Sequence, residues 1–166
     1  ESYLFLLEDN SDELFLKPLK LIKLNESKGI FLTIGGEYRA RFESYSNQNY
    51  TSENDSYYSQ RLDIHASIRF GSRIRLFGEL YHGNTSGGAR IIEDDEIDIH
   101  QGFLEVNLLE RESSAMSIRL GRQEIGYGAS RLIGIREGPN MRRSFDLAKV
   151  VYKKGKGSLN IIYGKE

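Results

Sequence analysis

These 166 residues predict an all-β fold, an antiparallel up-and-down β-barrel, on three observations. From residue 30 onward polar and apolar residues alternate with a period of two, which gives strands two unlike faces. Connections between the alternating runs are long and short by turns. The polar face of the strands is densely charged and rich in Arg.

Residues 1–29 stand apart from this pattern. "YLFLLEDNSDELFLKPLKLIKLN" has irregular apolar spacing and a proline at Pro18, and reads as a leader segment packed against the main body. The strands occupy 30–166, and about seven are expected. The first lies in "IFLTIGGEYRARFESY", where Leu32, Ile34, Tyr38, Ala40 and Phe42 share one face. Thr33, Glu37, Arg39, Arg41 and Glu43 share the other. The second runs from about Tyr57 to Phe70, with Leu62, Ile64, Ala66 and Ile68 set against Arg61, Asp63, His65 and Arg69. The third covers about Arg73 to His82, where Ile74, Leu76, Gly78 and Leu80 oppose Arg73, Arg75, Glu79 and Tyr81.

Register decides the turn between the second and third strands. A two-residue loop would set Phe70 against Arg73 and mix the faces. A three-residue loop sets Phe70 against Ile74 and Ile68 against Leu76, keeping each face uniform, so three residues are expected. The fourth strand, about Ile97 to Leu108, changes phase within itself. Ile97 and Ile99 are apolar at odd positions, Leu104, Val106 and Leu108 at even ones, and a bulge near Gly102 would reconcile them. The fifth, sixth and seventh strands lie in "MSIRLGRQEI", "SFDLAKVVYKK" and "SLNIIYG".

The long connections contain "SNQNYTSENDSYY", "GNTSGGARIIEDDE" and "GYGASRLIGIREGPNMRRS"; the short ones are a tight turn, "ERESSA" and "KGKG". An outer-membrane barrel has this asymmetry between its two rims, although soluble sandwiches also vary their loops. Net charge is -1, so a nucleic-acid partner recruited by overall positive charge is not expected. Fourteen of the 23 basic residues are Arg, which favours bidentate contact with anions or internal ion pairs. The absence of Cys excludes a disulfide scaffold. No apolar run is long enough for a transmembrane helix, which leaves a membrane β-barrel open. The chain starts at "ESYLFLLEDN" without a basic n-region, so any signal peptide is expected to have been removed already.

Two readings of the alternation remain. In a soluble, ligand-binding barrel or sandwich the apolar face is the core and the charged face meets water. In a transmembrane barrel the faces are inverted, apolar toward lipid and charged toward the lumen. The mixture of Arg with Asp and Glu, the small residues Ala40, Ala66 and Gly78 on the apolar face, and aromatics near strand ends suit the second. Tyr45, Tyr57, Tyr58, Phe70 and Tyr81 are the expected members of aromatic girdles.

The stretch "LGRQEIGYGASRLIGIREGPNMRRSFD", residues 120–146, resembles the alginate-export family of bacterial outer-membrane porins, as do "GGEYRARFES", "IDIHQGFLEV" and "FLKPLKLIKLN" in the same order. The resemblance implies a many-stranded transmembrane barrel in the bacterial outer membrane, in contact with its lipid. An Arg-rich lumen would pass an anionic polysaccharide or small anionic solute passively, with no reaction and no cofactor. Arg39, Arg41, Arg122, Glu124, Arg131, Arg143 and Asp146 fall in the matching motifs, and Arg61, Arg69 and Arg75 join them on the charged face. About seven strands cannot enclose an aqueous channel of the 16-strand type, so this chain is expected to be an N-terminal part of a longer barrel.

Other chemistry is weak. His65, His82 and His100 lie on three strands with no ligand spacing, so no metal site is expected. "EDDE" at 93–96 lacks the spacing of a Ca²⁺ loop. "GYGASR" lacks the third glycine of a dinucleotide fingerprint. No nucleophile elbow stands out, and an outer-membrane hydrolase using lumen carboxylates is the remaining enzymatic alternative.

Overall fold

The computed structural model describes residues 17–47, 54–87 and 95–166. One helical turn, α1 (Lys17–Lys20), precedes eight strands: β1 (Ile22–Asn25), β2 (Ile30–Ser46), β3 (Asn54–Phe70), β4 (Ile74–Ser86), β5 (Asp95–Arg111), β6 (Ser114–Gln123), β7 (Phe145–Lys154) and β8 (Gly157–Lys165). They form a single sheet in chain order, each strand antiparallel to the next. The shortest of β2–β8 has 9 residues, enough to cross a bilayer's hydrocarbon when tilted.

The seven alternating runs become β2–β8. β1 is an eighth strand drawn from the stretch before residue 30; it pairs with the start of β2. Thr33 Oγ1 fastens the same corner by donating to the Lys20 carbonyl at 2.8 Å. Phe70 faces Ile74 and Ile68 faces Leu76, so the β3–β4 turn has the three residues that register requires. Gly71 opens that turn at φ 59°, a left-handed conformation that costs glycine little.

The phase change in the fourth run is a β-bulge. On β5, Ile99 pairs with Leu80 and Gln101 with Glu79, leaving His100 as the extra residue, two positions before Gly102. The bulge keeps Ile97 and Ile99 on the same side as Leu104 and Val106. It also turns two consecutive polar residues, His100 and Gln101, toward the charged face.

Burial identifies the environment of each face. On β3, Leu62 and Ile64 are 41 % and 49 % exposed, whereas the alternating Arg61 and Asp63 are 1 % and 5 % exposed. On β4, Leu76 and Leu80 are open, and Arg75 and Glu79 are buried. The open apolar face continues through Ile97, Ile99, Leu120, Leu159 and Ile161. An apolar surface of this extent is foreign to water-soluble monomers. A covered charged face beneath an uncovered aliphatic one is the transmembrane barrel pattern, here as an open sheet.

The aromatic expectation needs correction. Tyr58 and Phe70 are on the outer face, with Tyr38 and Phe42 beside Tyr58's end of the sheet. Tyr57 and Tyr81 are 2 % exposed on the inner face, and Tyr45 stacks on Tyr57 with ring centroids 6.1 Å apart. Their odd positions give them the phase of Arg61 and Asp63, and phase prevails over nearness to a strand end.

Candidate functional site: the charged inner face

The inner face is roofed at one end by the 124–144 connection between β6 and β7. Its path is set by the antiparallel bridge Tyr127–Ile133 and by left-handed backbone at Gly128, Ala129, Ser130 and Arg136. The returning half lies against β2–β4. Arg39 Nη1 donates to the Glu137 carbonyl at 3.3 Å, and Arg41 donates to the Gly138 carbonyl. Tyr81 Oη donates to the Asn140 carbonyl, and Asn140 Nδ2 donates to the Gln60 carbonyl, both at 2.8 Å. Asn140 is 1 % exposed, so the segment is seated on the sheet.

Beneath this roof the charges are paired across strands. Arg61 Nη2 meets Glu37 Oε1 at 2.7 Å, and the Glu37 amide donates to Asp63 Oδ1 at 2.9 Å. Arg142, from the roof, reaches Glu137 at 2.8 Å and Glu124 at 3.8 Å. Burial alone would lower the Arg142 guanidinium's pKa. The flanking Glu124 and Glu137 carboxylates more than reverse this, so its pKa is raised and it stays charged. His100 Nε2 lies 2.9 Å from Glu124 Oε1, and Gln101 Nε2 donates to Glu79 at 3.1 Å.

Toward the short turns the face is open and more basic. Glu105 is held between Arg75, at 3.2 Å, and Arg119, whose Nε donates to it at 2.8 Å. Arg119 also lies over the Phe103 ring, 4.3 Å from its centroid, and Phe103 stacks on Phe77 at 4.9 Å. Two concavities lie here. One of about 360 Å³ includes His65, Arg75, Glu79 and Arg119 in its lining. The other, of about 370 Å³, includes Arg119, Lys149 and Lys153. The arrangement can hold an anion by several fixed cations, with one carboxylate moderating the field.

Of the residues expected from sequence, Arg39, Arg41, Arg61, Arg69, Arg75 and Glu124 gather on this face. Arg69 is half-buried opposite Arg75. Arg122 and Asp146 pair with each other at 3.1 Å and lie in the strand phase of Leu120, outside the cluster. Arg131 is exposed in the tight turn of the roof, and Arg143 pairs with Glu166. The sequence reading missed Arg119, Arg142, Lys149 and Lys153. Phase would have found Arg119 and Lys149, which lie opposite each other and in line with Glu105. The "EDDE" loop falls partly outside the described residues.

A family model described as Alginate export matches residues 31–161. No curated protein and no solved structure matches the chain.

Proposed function

The chain belongs to the alginate export family, a family of outer-membrane transport proteins, and from that membership we propose that its inner face is the wall of an Arg-lined pore. The solute is an anionic polysaccharide of the alginate kind, or another anionic or sugar-like solute, moving passively. The observation that carries this reading is the inverted burial. Leu62 and Ile64 are open while Arg61 and Asp63, which alternate with them, are covered, so charge is gathered where only a lumen would need it.

Fixed guanidinium and ammonium groups keep their charge at physiological pH and create a positive potential in a narrow, poorly screened channel. Glu37, Glu105 and Glu124, set among them, keep the potential shallow enough for a polyanion to leave as well as enter. Arg39 and Lys149 sample the two ends of this face. In planar bilayers under a salt gradient, the full-length protein should favour anions. Arg39→Glu combined with Lys149→Glu should shift the reversal potential toward cations, with the heat-dependent gel mobility of a folded barrel retained. An unchanged reversal potential in a folded variant would reduce these cations to structural ion-pair partners.

A further inference from the structure

We propose that Asp63, His65 and Glu79 form a binding site for a divalent transition-metal cation on the inner face, beside the His100–Glu124 pair. Asp63 and His65 are two residues apart on β3 and so point the same way, and Glu79 stands opposite His65 on β4. One potential ligand atom from each lies within 4.8 Å of the other two. Small side-chain rotations would bring such a set to the ~2.0–2.2 Å bonds that imidazole nitrogen and carboxylate oxygen make with Zn²⁺. Glu79 belongs to a second triad of the same compactness, with His100 and Glu124. The β5 bulge makes that neighbourhood possible by turning His100 and Gln101 inward together.

One feature of the fold points to an occupant. Asp63 is 5 % exposed; its Oδ1 accepts the Glu37 amide, but its Oδ2 is buried with no hydrogen-bond partner. Arg61 and Arg142 act on Asp63 electrostatically, but their ion pairs go to Glu37 and to Glu124 and Glu137, and Arg61 Nε and Nη1 and Arg142 Nε are, like Asp63 Oδ2, buried without a hydrogen-bond partner. A bare buried carboxylate oxygen is costly, and a bound cation would satisfy it. Gly35 opposite makes room for the imidazole itself. A Cβ there would come within 2.6 Å of His65 Nε2, so the missing side chain is the space the imidazole occupies. Lys20 Nζ reaches the same gap and competes by charge, which favours an exchangeable cation over a permanently held one.

One imidazole with two carboxylates selects Zn²⁺, Mn²⁺ or Fe²⁺ over Ca²⁺, which prefers an all-oxygen shell. Three protein ligands leave a position for water, as in open metal sites. The site borders the 360 Å³ concavity, so a cation has a route to it.

The test uses tag-free, full-length protein in detergent micelles, stripped with chelator and titrated calorimetrically with ZnCl₂. One saturable site per chain is expected. His65→Ala and Glu79→Gln should each weaken Zn²⁺ binding about tenfold or more. His82→Ala, on the outer face, should leave it unchanged. Should a variant fail to fold, the wild-type protein still decides: Co²⁺ should give the visible absorption of a nitrogen- and oxygen-ligated site, and Zn²⁺ should abolish it. Absence of saturable Zn²⁺ binding, or equal binding by folded His65→Ala, Glu79→Gln and wild type, would overturn the proposal. Neither readout involves solute passage, so the outcome is independent of the transport reading.

Discussion

Asp63 and Ile64 are chain neighbours that occupy opposite environments, one carboxylate nearly sealed inside and one aliphatic chain half open outside. Ile64 is six residues from the end of β3 at Phe70. At ~3.3 Å per residue and a tilt near 45°, that places it about 14 Å from the turn rim, close to mid-bilayer. Ile64→Arg should therefore lower stability by about 2–4 kcal/mol, measured by urea unfolding from lipid vesicles. A loss well below 1 kcal/mol would remove Ile64 from the lipid face. The two-faced character of β3 was legible because alternation needs only local sequence. Tyr57 and Tyr81 are legible by the same parity, which overrides their nearness to strand ends. Arg119 and Lys149 are not marked by any motif, because their membership of the inner face is defined by what lies opposite Glu105 on adjoining strands.

At the scale of elements, local pattern and long-range placement part company. The bulge in β5 could be anticipated because an apolar phase change within one strand requires an inserted residue. Its consequence could not: His65 and His100 enter one neighbourhood only once the β3–β4 and β4–β5 registers are combined. β1 escaped notice because four residues are too few to show a period. The 124–144 segment reads as a polar loop, and nothing in its composition says that it folds inward over β2–β4. Its seating includes the hydrogen bonds from Tyr81 to Asn140 and from Asn140 to Gln60. Each such hydrogen bond contributes about 1 kcal/mol, and the double variant Tyr81→Phe with Asn140→Ala removes both. The segment should then lift from the sheet part of the time. Single-channel recordings of the full-length variant should show larger or noisier open currents than wild type. Currents identical in size and noise would mean that the arginine contacts to Glu137 and Gly138 hold the segment without them.

For the whole molecule the decisive feature is its two edges. No strand among the described residues pairs with the far edge of β8, and β1 covers only the Ile30–Leu32 end of β2. In hydrocarbon each unpaired backbone group costs several kcal/mol, so a membrane-spanning sheet must be completed by further pairing. Joining β8 directly to β2 would make a barrel whose interior is just wide enough for side chains. This sheet already carries the 124–144 segment on its inner face, with two concavities of about 360 and 370 Å³ beyond it, and so much inward material needs a wider circumference. Additional strands between β8 and β2 would supply it, and 16 to 18 strands would leave an aqueous channel. The 166-residue chain alone, refolded in detergent, should therefore show β-sheet circular dichroism yet give no heat-dependent gel mobility and no stable conductance in planar bilayers. The full-length protein should give both. Uniform conductance steps from the monomeric 166-residue chain would show that it closes on itself, and the wide-pore reading would fall with that result.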